Sequence, residues 1–278
     1  MHGLGNDFLV LDTAAARGIS LTASQWRALA DRHRGIGFDQ ALVLEPPHRA
    51  DTLAFYRIYN ADGLEVEQCG NGVRCLAELL RRQNESQNAG KGSFDGQLQL
   101  ESPAGLVKAL WRGPGVVAVD MGEPDFSPAA VAFETTGQPG PLHSLNVLEQ
   151  KVTFAIVSMG NPHAVIDVPD VATAEVAAIG TALESHPRFT RRVNVGFRQI
   201  VDRGHIRLRV FERGVGETLA CGTGACAAVA AGIRDGLLDA RVQVDLPGGT
   251  LAVAWQGPGT NLWLEGPAEV SFTGQFEI

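Results

Sequence analysis

The chain has 278 residues, 45% of them hydrophobic, and a formal net charge of −8 at pH 7; it has ample material for a core, and its length favours two lobes over one. An acidic chain without a basic run argues against nucleic acid as a partner, and no apolar run approaches the roughly 18 residues of a membrane span. The opening sequence MHGLGNDF lacks the charged head and apolar stretch of a signal peptide, so we expect a cytosolic protein.

The predicted elements, taken in chain order, are mostly strands. A helix begins after Thr22, where Gln25 completes a capping box, and ends at Gly35. A polar, exposed loop is predicted over 84–96 and a second amphipathic helix over 171–184. Strands are predicted over 41–45, 53–59, 116–121, 152–157, 206–211, 242–246 and 251–255. Strands outnumber helices without regular alternation, which indicates the α+β class.

Four cysteines stand in two close groups, Cys69 with Cys75 and Cys221 with Cys226. In the reducing cytosol we expect thiols rather than disulfides. Their spacings, C-x5-C and C-x4-C, differ from the C-x2-C of common zinc sites, so we expect no metal. The few lysines lie outside any motif, which argues against a Schiff base with pyridoxal phosphate, so no cofactor is expected.

An internal repeat is the most informative pattern in the sequence. The segments NADGLEVEQCGNGVRCL and ERGVGETLACGTGACA begin at Asn60 and Glu212, and in each the first residue precedes the first cysteine by nine positions. Both contain Cys-Gly-x-Gly followed by a helix-forming run with a second cysteine. Further matches in the same order are GND (5–7) with GNP (160–162) and GIGF (35–38) with NVGF (194–197). Together they predict a duplicated lobe.

In each copy, the first cysteine is predicted to lie at or just before a helix N-terminus. The glycines next to Cys69 and Cys221 permit a tight turn that exposes backbone N–H groups. The helix dipole and these unpaired N–H groups favour a thiolate and can also hold a substrate carboxylate. Cys75 and Cys226 lie one to two turns inside the helices, and we interpret them as small buried hydrophobic residues.

Two thiols on opposite sides of a bound substrate are suited to racemisation or epimerisation. One thiolate removes a proton from a carbon, and the other thiol delivers a proton to the opposite face, with the roles exchanged in the reverse direction. The planar intermediate carries extra charge on its carboxylate, which two helix N-termini would stabilise. The repeat therefore predicts a cofactor-free active site between the two lobes.

At these residues the sequence closely resembles the diaminopimelate epimerase family, the pyridoxal-independent enzymes of bacterial and plant lysine biosynthesis. The matching segments are HGLGNDF (2–8), GFDQ (37–40), NADG (60–63), EQCGNGVRC (67–75), MGNPH (159–163), RVNVGF (192–197), ERGVGET (212–218) and ACGTGAC (220–226). They run in the family's order across essentially the whole chain. A lone CGxG would be a weak signal, whereas this set is highly specific.

The resemblance implies interconversion of LL- and meso-2,6-diaminopimelate, a small-molecule substrate. By motif, Cys69 and Cys221 are the two acid/base thiols, and the residues that assist them are His163 and Glu212. Arg213 can fork onto the distal carboxylate of the substrate, while Glu212 helps to hold the distal ammonium. The positions that match the family's substrate contacts are Asn6, Gln40, Asn60, Asn161, Asn194, Glu212 and Arg213. Backbone N–H groups that grip the reacting carboxylate match Gly70, Asn71, Gly222 and Thr223.

The resemblance also implies a fold of two pseudo-symmetric lobes, each a strand-rich, barrel-like sheet around a central helix. We expect an N-terminal lobe over 1–117, to which a strand at 267–278 returns, and a C-terminal lobe over 118–266. A homodimer is implied, although Phe272 stands where the family often has a tyrosine that supports the dimer. The family usually has strand residues before MHGLGNDF, so either the first strand is short or the start is misassigned.

Other functions can be weighed against the same residues. A proline or hydroxyproline racemase shares the two-cysteine plan, but its ring substrate lacks the distal amino acid group that the NADG, RVNVGF and ERG segments would recognise. A non-catalytic amino acid binding protein of the same fold would need neither Cys69 nor Cys221. A thiol–disulfide oxidoreductase would require C-x2-C, which is absent. The racemase and the binding protein remain the alternatives.

Overall fold

The computed structural model describes residues 1–13, 21–66, 69–87, 96–135 and 140–276. The chain divides into two units, of which the first contains Met1–Asp120 and Glu265–Ile278 and the second contains Met121–Leu264. Within the described ranges, no helix is long and apolar enough to cross a membrane.

The first unit is built from short strands and two helices in its described residues. They are β1 (His2–Gly3), β2 (Asn6–Asp12), α1 (Ala23–Ala30), β3 (Gln40–Glu45), β4 (Phe55–Asn60), β5 (Glu65–Val66), α2 (Gly70–Gln87), β6 (Gln97–Ser102), β7 (Gly105–Gly113) and β8 (Val116–Asp120). β2 is antiparallel to β1 and parallel to β3, and β3 is antiparallel to β4. β4 pairs with β5 in an antiparallel and with β6 in a parallel sense, and β6, β7 and β8 form an antiparallel meander.

The second unit is built in the same manner. Its elements are β9 (His143–Val147), β10 (Gln150–Ser158), β11 (Pro162–Asp167), α3 (Val176–Glu184), β12 (Asn194–Asp202), β13 (His205–Glu212), β14 (Gly216–Thr218), α4 (Gly222–Arg234), β15 (Arg241–Leu246) and β16 (Gly249–Ala254), followed by β17 (Trp263–Pro267), in which the chain passes back to the first unit. β10 is antiparallel to β9 and β11, and β11 runs parallel to β12. β13 is antiparallel to β12 and β14 and parallel to β15, which is antiparallel to β16.

The two units share one order of elements and one pattern of pairing. The succession β1 to β7 in the first unit corresponds to β10 to β16 in the second, with α1 equivalent to α3 and α2 equivalent to α4. In register, Phe8 lies opposite Gln40 and His163 lies opposite Asn194. The duplication that the repeated motif predicted is therefore present in the topology.

One of the four matches within the repeat is not a structural equivalence. GIGF (35–38) precedes β3, whereas NVGF (194–197) begins β12. The register makes Gln40, rather than Gly35, the counterpart of Asn194. The similar segments GIGF and NVGF therefore belong to a loop and to a strand, respectively. The sequence alone does not reveal which residues face each other in the sheet.

Helix α1 begins as predicted and ends earlier. The Thr22 hydroxyl accepts from the Gln25 N–H at 3.3 Å, and the Gln25 side chain accepts from the Thr22 N–H at 3.0 Å, so both bonds of the capping box are present. The helix ends at Ala30 rather than Gly35. The Asp31 carboxylate accepts from the backbone N–H groups of His33 and Arg34, at 2.8 and 3.0 Å, and this local turn competes with the helix.

The other element bounds follow the prediction with two differences. All seven predicted strands are present, as β3, β4, β8, β10, β13, β15 and β16. α3 starts at Val176 instead of 171, because the Asp170 carboxylate accepts from the Ala172 N–H at 2.9 Å and forms a turn. α2 continues through Gln87, so the start of the polar loop predicted over 84–96 is helical, and residues 88–95 lie outside the described residues.

A buried helix packs into the core of each unit. Every residue of α4 from Gly224 to Gly232 is buried, as expected for a helix that is apolar on all sides. In α2 the buried stretch includes Leu76 and Ala77. Cys75 and Cys226 are fully buried, in agreement with their interpretation as small core residues. The predicted α+β class, with a helix inside each strand-rich unit, is confirmed.

The segment after residue 265 completes the first unit by backbone hydrogen bonds. His2 and Glu269 exchange two such bonds, at 2.9 and 3.0 Å. The Ala268 N–H donates to the Gly115 carbonyl at 2.9 Å. The first unit is thus assembled from both ends of the described chain.

The cap of α1 yields a stability prediction. Thr22→Ala removes the hydroxyl that accepts from the first turn, and we expect it to lower the free energy of unfolding by about 1 kcal/mol. Thr22→Ser keeps an accepting hydroxyl and serves as the matched control. Urea unfolding followed by circular dichroism measures both variants. An equal loss in the two variants would contradict a role for the hydroxyl.

Candidate active site

Each unit places one cysteine directly before its buried helix. Cys69 precedes the first residue of α2, and Cys221 is the N-cap of α4 in an extended conformation. The Val73 N–H donates to the Cys69 carbonyl and the Ala225 N–H donates to the Cys221 carbonyl, both at 3.0 Å. The N–H groups of the first two residues after each cysteine have no acceptor within the helix, so they can bind an anion such as a carboxylate.

The second glycine of each Cys-Gly-x-Gly motif serves packing rather than a tight turn. Neither Gly72 nor Gly224 has a positive φ, so the chain needs no left-handed backbone at these two positions. A Cβ atom on Gly72 would lie 2.9 Å from the Leu42 side chain, and one on Gly224 would lie 3.0 Å from Val210. Glycine at these positions therefore allows the first helical turn to approach the sheet without crowding the Leu42 and Val210 side chains.

In the first unit, Cys69 lies beside two asparagine side chains. The Cys69 thiol donates to Asn6 Oδ1 at 3.9 Å, and Asn71 Nδ2 donates to the same oxygen at 3.2 Å. The other end of the Asn6 amide donates to the Asp39 carboxylate at 3.0 Å. Three of the predicted site residues of this unit therefore meet at one amide oxygen.

Gln40 and Asn60 form a second predicted pair in the first unit. They lie opposite each other on β3 and β4, and Gln40 Nε2 donates to Asn60 Oδ1 at 2.8 Å. Gln40 Oε1 is buried and has no hydrogen-bond partner among the described residues. Such an acceptor favours a ligand group that donates, because a buried oxygen without a donor is costly.

In the second unit, Cys221 is bonded to a carboxylate. The Cys221 thiol donates to Glu212 Oε2 at 3.2 Å, and the Thr218 hydroxyl donates to Glu212 Oε1 at 2.6 Å. Glu212 ends β13 and Thr218 ends β14, so the hairpin holds both side chains beside the start of α4. The predicted pair of Cys221 and Glu212 is brought into direct contact.

A chain of hydrogen bonds extends from Cys221 to His163. The sulfur of Cys221 and the Thr223 hydroxyl are 3.6 Å apart, and Thr223 accepts from Asn161 Nδ2 at 3.2 Å. Asn161 Oδ1 and His163 Nε2 are 3.0 Å apart, which makes Nε2 the protonated nitrogen of the ring. His163 Nδ1 is buried and has no partner among the described residues. Together with Glu212 on the other side of Cys221, five predicted residues of this unit therefore form one continuous chain.

Asn194 fixes the backbone at the remaining predicted residue, Arg213. Asn194 Oδ1 accepts from the Arg213 N–H at 2.9 Å, and Asn194 Nδ2 donates to the Pro162 carbonyl at 3.0 Å. The Arg213 guanidinium donates to the Arg191 carbonyl at 3.0 Å, which leaves further donors on the fork for a ligand.

The environment of the second half-site sets the protonation of its groups. Burial raises the pKa of the Cys221 thiol well above its usual value, and the charge of the Glu212 carboxylate raises it further. Burial lowers the pKa of His163 to about 3, with a smaller effect from the Arg213 guanidinium. At neutral pH Cys221 is therefore a thiol, and His163 is a neutral imidazole.

The two half-sites differ at equivalent positions of the repeat. The residue nine positions before the cysteine is Glu212 in the second unit and Asn60 in the first. The residue opposite Asn194 is His163, whereas its counterpart opposite Gln40 is Phe8. At these two equivalent positions, the carboxylate of Glu212 and the imidazole of His163 thus belong to the half-site of Cys221, and the half-site of Cys69 has Asn60 and Phe8 instead.

Three residues of the half-sites were not singled out from the sequence. Thr218 and Arg74 lie within the quoted motifs, and Asp39 lies in GFDQ, but none was given a role. Arg74 is fully buried and donates to the Asn71 side chain at 2.7 Å, and such a buried charge must be paired. An arginine inside an otherwise apolar helical run was the signal that could have identified it.

No cluster of metal-ligating side chains is found in the parts of the chain that the structure describes. None of the four cysteines is in a disulfide bond in the part of the chain that the structure describes.

Solved structures with the same fold include racemases. A probable proline racemase from Agrobacterium radiobacter K84 superposes with a TM-score of 0.65 at 18% identity, over 98% of this chain and 92% of that chain. A hydroxyproline epimerase from Agrobacterium vitis gives a TM-score of 0.64 at 18% identity, over 96% and 87%. At this identity the similarity establishes the fold alone.

Sequence comparison identifies the family. The profile described as Diaminopimelate epimerase matches residues 1–127 and 155–271. A protein from Azoarcus sp. (strain BH72) named diaminopimelate epimerase is 51% identical over 100% of this chain and 97% of its own length. One of the same name from Chromobacterium violaceum is 50% identical over 100% of this chain and 98% of its own length. The chain therefore belongs to the diaminopimelate epimerase family.

Proposed function

We propose that the protein interconverts LL- and meso-2,6-diaminopimelate without a cofactor, using Cys69 and Cys221 as the two acid/base groups. The observation that carries this proposal is the pair of cysteines at equivalent helix N-termini, one of them bonded to Glu212, in a chain about half identical to proteins named diaminopimelate epimerase. The named relatives favour this substrate over proline, and the presence of both thiols favours an enzyme over a binding protein.

The chemistry requires one thiolate and one thiol acting on the same α-carbon. The thiolate takes the α-proton and becomes a thiol, and the opposite thiol gives its proton to the other face and becomes a thiolate, so protons and charge balance. The negative charge that develops on the substrate carboxylate is stabilised by backbone N–H groups at the helix starts, contributed by Gly70, Asn71, Gly222 and Thr223.

Glu212 and burial define the resting role of Cys221. Because both raise the pKa of this thiol, Cys221 is protonated and is the proton donor in the free enzyme. Once Cys221 has lost its proton, the same raised pKa makes it a strong base toward a weak carbon acid. Burial and the charge of Glu212 therefore also favour the reverse reaction, in which Cys221 removes the α-proton.

Recognition of the distal amino acid group distinguishes the substrate from a ring amino acid. We assign the distal carboxylate to the Arg213 fork and the distal ammonium to Glu212, with polar contacts from Asn6, Gln40, Asn60, Asn161 and Asn194. The unpartnered, buried Gln40 Oε1 supports a ligand that donates hydrogen bonds. A proline ring would leave the distal groups of the site unpaired.

The oligomeric state, the cellular location and the pathway are proposed from the resemblance to the family. We propose a homodimer that acts in the cytosol in lysine and peptidoglycan precursor biosynthesis. Phe272, at the position where the family often has a tyrosine, is 71% exposed, and a side chain of this kind is available to pack against a second copy.

The substrate is tested by proton exchange in D2O. Purified, reduced protein is incubated with LL-diaminopimelate without added cofactor, and the mixture is followed by NMR and chiral chromatography. We expect deuterium at one α-carbon together with meso product. Exchange with proline or hydroxyproline instead of diaminopimelate would favour the racemase alternative. No exchange with any of these amino acids would favour a binding protein.

The two thiols are tested by substitution. Cys69→Ser and Cys221→Ser should each lower kcat by about a hundredfold to ten-thousandfold, since a hydroxyl is a far weaker base and general acid–base groups contribute on this scale. Cys75→Ala and Cys226→Ala, which remove buried thiols from the same helices, are the matched controls and should retain turnover. Near-normal turnover of either serine variant would remove that cysteine from the mechanism.

The role of Glu212 is tested by the pH dependence of Cys221 alkylation. Glu212→Gln removes a neighbouring negative charge, so the pKa of Cys221 should fall by about one pH unit, and at any pH below the wild-type pKa more thiolate reacts. The protein is alkylated with a small thiol reagent at a series of pH values, and peptide mass spectrometry gives the pH midpoint of alkylation for each cysteine. Glu217→Gln breaks only the pair with Arg209 on the same hairpin and is the control. An unchanged midpoint in Glu212→Gln would contradict the assignment.

A further inference from the structure

A row of side-chain hydrogen bonds in the first unit connects a buried cation to a surface carboxylate and passes beside Cys69. It runs from Arg74 through Asn71 and Asn6 to Asp39, and we call it the amide relay. We propose that Arg74 and Asp39 are positioning residues, which fix the orientation of the two amides so that Asn6 presents its carbonyl oxygen to Cys69. The proposal rests on the proposed function, because it takes Cys69 to be one of the acid/base thiols.

Arg74 fixes the first amide. Its guanidinium carries only donors, and it donates to Asn71 Oδ1 at 2.7 Å and to the Pro267 carbonyl at 3.2 Å. Asn71 must therefore turn its oxygen toward Arg74 and its NH2 group away. That NH2 group donates to Asn6 Oδ1 at 3.2 Å.

Asp39 fixes the second amide from the opposite end. An ionised carboxylate only accepts, and Asp39 Oδ2 accepts from Asn6 Nδ2 at 3.0 Å and from the Asp7 N–H at 3.2 Å. Arg32 holds the same carboxylate at 2.8 Å while it forks onto Asp7 with two bonds of 2.8 Å. Asn6 must therefore turn its NH2 group toward Asp39.

The two ends of the relay demand the same orientation of Asn6. With its NH2 group on Asp39, Asn6 directs Oδ1 to both Asn71 and the Cys69 thiol. A reversed amide would set two oxygens against each other at Asp39 and two NH2 groups against each other at Asn71. It would also turn a donor toward the sulfur, which favours the thiolate, whereas an acceptor favours the thiol.

Breaking the amide relay should change the reactivity of Cys69 rather than the free energy of unfolding. The Asp39 and Arg32 side chains are 45% and 54% exposed, and ion pairs this exposed contribute little to the free energy of unfolding. Asp39 can therefore be replaced without disturbing the core. Asp7 offers a control, because it carries the same charge and binds the same guanidinium. Its carboxylate accepts from the Asp39 backbone N–H at 2.9 Å and has no side-chain bond to Asn6 among the described residues.

The experiment compares Asp39→Asn with Asp7→Asn in the full-length protein. The first readout is the pH midpoint of Cys69 alkylation by iodoacetamide without substrate, measured by peptide mass spectrometry. The second is kcat and KM for LL-diaminopimelate. We expect the alkylation midpoint of Asp39→Asn to lie below that of Asp7→Asn, and its kcat to be about tenfold lower, the scale of one hydrogen bond to a charged group. Asp39→Glu, which keeps the anionic acceptor, should recover part of both.

The buried end is tested with Arg74→Lys, which keeps the charge but loses the fork that reaches Asn71 and Pro267 together. We expect Cys69 alkylation to shift in the same direction as in Asp39→Asn. Equal alkylation midpoints and equal kcat in Asp39→Asn and Asp7→Asn would overturn the proposal, whether or not Arg74→Lys folds. The alkylation readout needs no turnover, so the relay can fail while the thiol assignment stands, and a fully active Cys69→Ser would refute the thiol assignment alone.

Discussion

Both half-sites depend on how closely the first turn of a buried helix approaches the sheet behind it. The small residues of α4 and the glycines at Gly72 and Gly224 allow this approach, since any side chain there would meet Leu42 or Val210. Close approach brings each cysteine to the ends of the strands that carry the polar side chains. The same contact directs the N–H groups of the first turn toward the site, so packing of the core and binding of an anion have a common origin.

The two half-sites share one architecture but differ in which groups donate and accept hydrogen bonds around the cysteine. In the second unit the bonds run through the sulfur, from His163 by way of Asn161 and Thr223 to Cys221 and on to Glu212. In the first unit the amide relay passes beside the sulfur and ends on Asp39. Both rows end on a carboxylate, but only Glu212 touches the thiol. Duplication supplied two equivalent cysteines, and substitutions around them gave the two thiols different hydrogen-bond partners.

The sequence was sufficient for the parts of the site that depend on residue type and spacing. The capping box at Thr22, the burial of Cys75, and the contact between Cys221 and Glu212 all follow from local patterns or from motifs. The family resemblance supplied the residues that spacing alone would leave ambiguous, such as Asn161.

What the sequence could not supply depends on register and on long-range pairing. Thr218 reaches Glu212 only because a hairpin brings together residues six positions apart. Asp39 reaches Asn6 across 33 residues, through a parallel pair of strands whose register no local pattern encodes. The same limitation made GIGF look like the counterpart of NVGF.

The discontinuity of the first unit has a consequence for how the chain folds during synthesis. The second unit is one continuous segment, Met121–Leu264, and its strands β9 to β16 are all available once that segment has left the ribosome. The first unit has strand β1 bonded to Glu269, so it stays open until Glu269 has been translated. The half of the protein that is made first is therefore the half that is completed last, and Cys69 reaches its native surroundings only after Cys221 can have done so.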